Sequence, residues 1–212
     1  MSLIRKAFFE AAHHATGLLN QPELADHWDE PSALPEFSVA ALAGHLLRGM
    51  ATVEIYLEKP TPAANPIGAV EYYLSAGLTS DPHSTLNRDI RARGAQMSSR
   101  GAVEVASTAR SVLQRLQAGL PSQPPDRCLT VLGGVCITLD EYLRTRVVEL
   151  VIHADDLALS CGAMVYPPLG RATTGVAIDT LVDLARVRHG DVAVCRALTR
   201  RERDGIEALR VL

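Results

Sequence analysis

The chain lacks most of the features that mark specialised architectures. Only four cysteines occur in 212 residues, Cys128, Cys136, Cys161 and Cys195, and no two of them form a CxxC. That spacing excludes a zinc ribbon and a redox dithiol, and all four are expected to be buried, reduced thiols. No run of about 18 apolar residues is present, so no membrane-spanning helix is predicted. The opening segment MSLIRKAFFEAAHHATGLL carries charges and histidines where a signal peptide needs an unbroken apolar stretch, and a cytoplasmic location is expected. A net charge of -3 leaves no basic face for neutralising phosphates, which sets nucleic acid aside as a partner. Internal repeats, low-complexity tracts and coiled-coil heptads are also missing.

With 47% hydrophobic and 21% charged residues, the composition is that of an ordinary globular protein. Its length suffices to bury a core without metal or disulfide staples. The apolar pattern is helical almost throughout, broken at proline and glycine clusters. A first helix is predicted over residues 2–19, followed by a Pro-studded connection from Gln21 to Phe37 that holds Trp28, expected to pack beneath it. Ser38 is a plausible N-cap for a second helix ending before Pro60. A short helix at 66–78 and a long one from Thr85 to Gly119 follow, whose glycines argue against a straight rod. Two β-prone runs then flank Gly133 and Gly134, as in a tight hairpin. Helices at about 139–159, 171–188 and 192 to the C-terminus complete the chain.

The segment RVVELVIHADDL, residues 146–157, places acidic groups and a histidine in an otherwise apolar run. At about 100° per residue, Leu139, Leu143, Val147, Leu150, Ala154 and Leu157 share one core-facing arc. Glu141, Arg144 and Asp155 fall opposite, toward solvent. Tyr142, Arg146, Glu149, His153 and Asp156 form a third stripe bordering the core arc, and such a stripe needs a polar reason. One reason is ordinary: an ExxxH pair on a helix surface contributes only a few tenths of a kcal/mol and is common. The other is a metal ion, since a carboxylate and an imidazole four residues apart point the same way. His45 shares a face with Leu42, Leu46, Gly49 and Val53 on the second helix and is the candidate third ligand. Two histidines and one carboxylate leave positions open for water or substrate, the pattern of a reactive zinc, iron or nickel site. One of His13 and His14 could line the bundle near the site, although Ala12, Ala15 and Leu18 nearby favour a simple helix-face histidine. Tyr142 has two readings, as a donor to substrate or as a buried tyrosine with a local partner.

The segments from Trp28 through PSALPEFSVAALAGHLLRG, and YLRTRVVELVIHADDLA, resemble the DinB/YfiT-like metalloprotein superfamily. Within it, they resemble the mycothiol-dependent maleylpyruvate isomerase N-terminal domain family, in a short form. The family pattern V-x-x-L-x-x-H-L falls on Val39, Leu42, His45 and Leu46, and R-x-x-E-x-x-x-H-x-x-D-L on Arg146, Glu149, His153, Asp156 and Leu157. The resemblance implies an all-α, DinB-like four-helix bundle over residues 1–160, with a small β-hairpin before the fourth helix. It also implies one divalent metal, usually zinc, held by His45, Glu149 and His153. Residues 161–212 are expected to form a helical extension packed on the same domain, placed to cover the mouth of the site.

The function expected on this basis is activation of a small thiol, mycothiol, for transfer to an electrophile or for isomerisation of it. The partners implied are a low-molecular-weight thiol and a small electrophile. Asp156 would orient His153 and Arg146 would hold an anionic substrate; a helix-end surface charge and an intrahelical pair with Glu149 explain them as well. Two other classes stay open: a metal-dependent hydrolase and a metal-binding bundle without catalysis. Alanine-rich helix faces would permit a homodimer.

Overall fold

The computed structural model describes residues 1–75, 83–162, 166–199, 209 and 211. Three helices start where a serine side chain accepts from a backbone amide that the first turn leaves unpaired. Ser2 caps α1 (Leu3–Leu19), Ser38 caps α3 (Val39–Leu57) and Ser84 caps α5 (Thr85–Met97). The expected connection after α1 contains a short helix, α2 (Pro22–Asp26), that hydrophobic periodicity could not reveal in five residues. Trp28 is partly buried against the core, as expected. The segment 66–78 yields α4 (Ala69–Ser75), and its last three positions lie outside the described residues.

The long helix expected to Gly119 is instead two, α5 and α6 (Ala102–Gly119). The break is at Gly101, whose φ of 90° belongs to the left-handed region that glycine adopts without steric cost. Just before it, Ser98 donates its hydroxyl to the Gly94 and Ala95 carbonyls, competing with helix continuation. The hairpin forms as read: β1 (Cys128–Thr130) and β2 (Cys136–Thr138) pair antiparallel with Leu129 opposite Ile137. Gly133 and Gly134 both take φ 77°, which permits the tight connection. From β2 the chain enters α7 (Leu139–Ser160), followed by α8 (Arg171–His189) and α9 (Asp191–Thr199). The last expected helix is described only to Thr199; residues 200–208, 210 and 212 lie outside the described residues.

Helices α1, α3, α6 and α7 bury one core, in which Phe8, Leu42, Leu47, Leu143, Val147 and Leu150 are all fully enclosed. This is the expected all-α four-helix bundle. Helix α5 lies along α3, and α8 lies against α1 and α7. The contact of α8 with α1 is anchored by Glu10, which accepts from the Gly170 amide at 2.6 Å and the Thr173 hydroxyl at 2.5 Å. The four cysteines are free thiols, but the expectation that all are buried fails: Cys128 is half-buried and Cys195 exposed. Among the described residues, no helix is long and apolar enough to cross a membrane.

Candidate metal centre

Helices α3 and α7 carry the site, and α5 sets its third side. The backbones of α3 and α5 touch: a Cβ on Gly44 would stand 2.1 Å from the Gly94 carbonyl oxygen, and one on Gly94 would stand 2.5 Å from that of Ala41. Only glycine fits at these two positions, and His45 sits at this crossing. The structure brings His45 together with Glu149 and His153, their potential ligand atoms all within 4.8 Å of one another. Glu149 Oε2 is 3.5 Å from His45 Nε2 and 3.4 Å from His153 Nε2. These separations are long for good hydrogen bonds. They match two ligand atoms, each about 2.0–2.1 Å from a shared tetrahedral ion, which stand roughly 3.3–3.4 Å apart.

The surroundings divide the labour. Tyr73, in α4, aims its hydroxyl at the Thr145 carbonyl (3.1 Å) and at Glu149 Oε1 (3.2 Å). Oε1 is thereby engaged while Oε2 faces both imidazoles. Asp156 Oδ2 lies 3.1 Å from His153 Nδ1, so that ring nitrogen holds its proton and Nε2 turns to the cavity. His45 is placed differently: its Nδ1 is buried without a hydrogen-bond partner among the described residues, so packing at the helix crossing fixes this ring.

Electrostatics follow from these contacts. Burial pushes the His45 pKa down, leaving a neutral imidazole with a lone pair to give. Burial opposes ionisation of Glu149, but the two imidazoles and the Arg146 charge outweigh it and hold the carboxyl well below its usual range. For His153 burial is likewise overcome, by Asp156 first and then Glu149, and its pKa is pushed up to about 9. A cation binding here therefore displaces a proton from His153.

The remaining expectations sort clearly. Arg146 makes no ion pair with Glu149; its Nε donates to Thr145 Oγ1 at 3.1 Å and its guanidinium lies 4.8 Å from the Tyr142 ring centre. The intrahelical pairing fails because the guanidinium folds over the tyrosine. Tyr142 has a local partner, donating to Thr52 Oγ1 at 2.8 Å. Neither His13 nor His14 lines the cavity: His13 meets Gln117, and His14 packs edge-on to Tyr166. Residues of the C-terminal extension, where described, do not line it either; α8 packs on α1, α7 and α4. Tyr73, Arg48 and Arg93 were not anticipated, although Arg48 stands three residues after His45 on the same helical face.

The cavity has about 780 Å³ of empty space, mouth included, and the two histidines and Glu149 form one part of its wall. That is room for a small ligand beside an ion.

The fold recurs in solved proteins. It is similar to the crystal structure of a mycothiol-dependent maleylpyruvate isomerase at TM-score 0.55 and 16% identity, covering 87% of this chain and 70% of that one. A histidine-to-alanine mutant of that enzyme matches at TM-score 0.54, with the same identity and coverage. Likeness at that identity shows the fold alone. Among curated proteins, no sequence matches the chain. The family model of the mycothiol maleylpyruvate isomerase N-terminal domain matches residues 8–158, which take in α3 and α6 whole, most of α1 and α7, and all three converging side chains, and the chain belongs to that family.

Proposed function

We propose that this protein is a divalent-metal enzyme that activates a small thiol, mycothiol, for addition to an electrophilic small molecule, with isomerisation as the outcome. The observation that carries the reading is the open three-ligand set: His45, Glu149 and His153 converge from two helices onto a cavity. A structural zinc site would enclose the ion with four protein ligands. Membership of a family named for a mycothiol isomerase supports the choice of thiol and of isomerisation.

When bound, zinc, or nickel or iron in its place, would supply the positive charge that favours thiolate over thiol at neutral pH. The chain's own residues prepare that position. His45 offers an imidazole kept neutral by burial, and Glu149 offers Oε2 because Tyr73 engages Oε1. Asp156 orients His153, and Arg146 presents a positive charge to the cavity for an anionic substrate. The nucleophile is the cosubstrate thiol, since no cysteine lines the cavity among the described residues.

The test uses zinc-reconstituted protein and follows mycothiol-dependent cis-to-trans isomerisation of maleylpyruvate, with monochlorobimane as a second electrophile. We expect about one equivalent of metal, and turnover that needs both metal and thiol and falls to background in His45→Ala. Failure to bind zinc, or turnover that persists without thiol, would overturn the reading.

A further inference from the structure

With no CxxC, the sequence predicts no redox dithiol, yet the hairpin assembles one that linear spacing does not reveal. Strands β1 and β2 pair Cys128 with Thr138 and Thr130 with Cys136, so the two cysteines share one face and stand on a diagonal across it. Leu129 and Ile137 point the other way, into the core, and hold that register, because a slip by one residue would turn one of them out. Backbone bonds from Val131 to Val135 and from Leu139 to Arg127 flank the pairing. Both cysteines therefore occupy non-hydrogen-bonded positions, where opposed strands approach most closely. The right-handed twist of a hairpin shortens the diagonal that they span and lengthens the other. The thiols meet: burial, and next the Cys128 thiol at hydrogen-bonding range, push the Cys136 thiol above its ordinary pKa.

The two sulfurs are placed for different parts. Cys128 is half-buried, and its Sγ has only a 3.8 Å contact with the Asp126 carbonyl. Cys136 is 5% exposed and donates to the Ala64 carbonyl at 3.3 Å. A small oxidant thus reaches Cys128 first, with Cys136 waiting behind it. Cys161 cannot compete, since it caps the far end of α7, roughly 30 Å along the helix from the hairpin. Diagonal residues stand roughly 7–8 Å apart at Cα, whereas a disulfide takes about 4.4–6.8 Å, so closure draws the strands together and leaves a strained, readily reduced bond. The connection between these strands borders the site. Leu132 lines the cavity, and Leu132, Gly133 and Val135 line the hollow beside it.

We infer that Cys128 and Cys136 are an oxidative modification site at the rim of the cavity, closing to a reversible disulfide on exposure to a peroxide. The peroxide O–O bond breaks on the Cys128 sulfur, which becomes a sulfenic acid as one water leaves. The Cys136 sulfur then attacks that sulfur, the S–S bond forms, and the hydroxyl departs with the Cys136 proton as a second water. Two thiols lose two electrons in all, and one peroxide takes them up.

The experiment exposes full-length, reduced protein to hydrogen peroxide, labels the remaining thiols with N-ethylmaleimide in denaturant, and maps tryptic peptides by mass spectrometry. Residues 128–144 form one tryptic peptide that carries both cysteines. In oxidised protein it should take up no label and be lighter by two hydrogens, and dithiothreitol applied to the folded protein should restore both labels. Cys136→Ser should leave Cys128 as a sulfenic acid that dimedone traps, while Cys128→Ser should leave Cys136 fully labelled at the same dose. Should a serine variant not fold, the wild-type map decides alone. A peptide that keeps both labels after the exposed Cys195 has been oxidised would overturn the inference, as would a disulfide from Cys128 to another cysteine or to a second chain. None of these readouts involves metal or turnover, so this site and the proposed function stand or fall separately.

Discussion

Among the described residues, two places join a basic side chain of another helix to a carboxylate on α7, and they have opposite characters. At one end Arg5, 5% exposed, donates to Asp140 Oδ1 at 2.9 Å and to the Leu120 carbonyl at 3.0 Å. Asp140 also accepts from the Ser2 hydroxyl at 2.7 Å and lies in the first turn of α7, where the helix dipole favours negative charge. Only Nη2 of Arg5 is left without a partner among the described residues. At the other site Glu149 stands 3.4 and 3.5 Å from its imidazoles, beside a cavity. Short bonds hold three helix ends together, while long separations beside a cavity leave ligand capacity unused. Geometry, more than residue type, separates the strut from the site.

The comparison predicts a double dissociation. Glu149→Gln should abolish stoichiometric zinc binding, read by mass spectrometry of reconstituted protein, with helicity retained. Arg5→Ala should do the reverse, keeping the metal and lowering unfolding free energy by about 2 kcal/mol, because it removes the Leu120 bond and leaves a half-buried carboxylate without its guanidinium. Urea denaturation followed by circular dichroism checks the second. If Glu149→Gln unfolds as easily as Arg5→Ala, the distinction between strut and site is broken.

How much of this was legible in the sequence depended on whether the information lay within one helix. The α7 stripe was readable because Arg146, Glu149, His153 and Asp156 recur at helical spacing beside a core arc, and the Gly133-Gly134 pair gave the hairpin. His45 could be set on an inward face, but its meeting with Glu149 is a tertiary event that needed the family resemblance. Tyr73 and Arg93 carried no signal, since they reach the site only through the packing of α4 on α7 and of α5 on α3. The split between α5 and α6 was half legible: glycines were visible, but not the choice of Gly101 over Gly94 as the break. The structure shows why, since Gly94 is consumed by the backbone contact with Ala41.

That contact sharpens the comparison, because it supports the site by packing where the strut uses charge. Gly94→Ala would put a Cβ 2.5 Å from a backbone oxygen that cannot move aside cheaply. We expect a loss of about 2 kcal/mol by urea denaturation, overpacking exceeding the helix-propensity gain of alanine. Because His45 packs at the same crossing, zinc loading should fall in parallel. A stable variant with unchanged zinc loading would mean that the α3–α5 crossing does not set the site.

The smallest effect is expected where the C-terminal helix is fastened. Glu10 caps α8 from outside, and the Thr173 hydroxyl, followed by the Gly170 amide, holds its carboxyl below the usual carboxylate range. A depressed folded-state pKa means stability that is fully present at neutral pH and is lost as pH falls through the carboxyl range. Because Glu10 is exposed and its charge is screened by solvent, Glu10→Gln should cost only about 0.5 kcal/mol at pH 7, and progressively less in acid. Thermal melts of both proteins from pH 7 to pH 3 would show two Tm curves converging as the wild-type carboxylate protonates. Parallel curves would mean that the ionised carboxylate adds nothing beyond its shape. Zinc loading of the variant at pH 7 should equal wild type, because no described residue of α8 lines the cavity. This tie would then belong with the Arg5 strut, and the histidine cluster would remain the place where polar groups on α7 are held for a ligand.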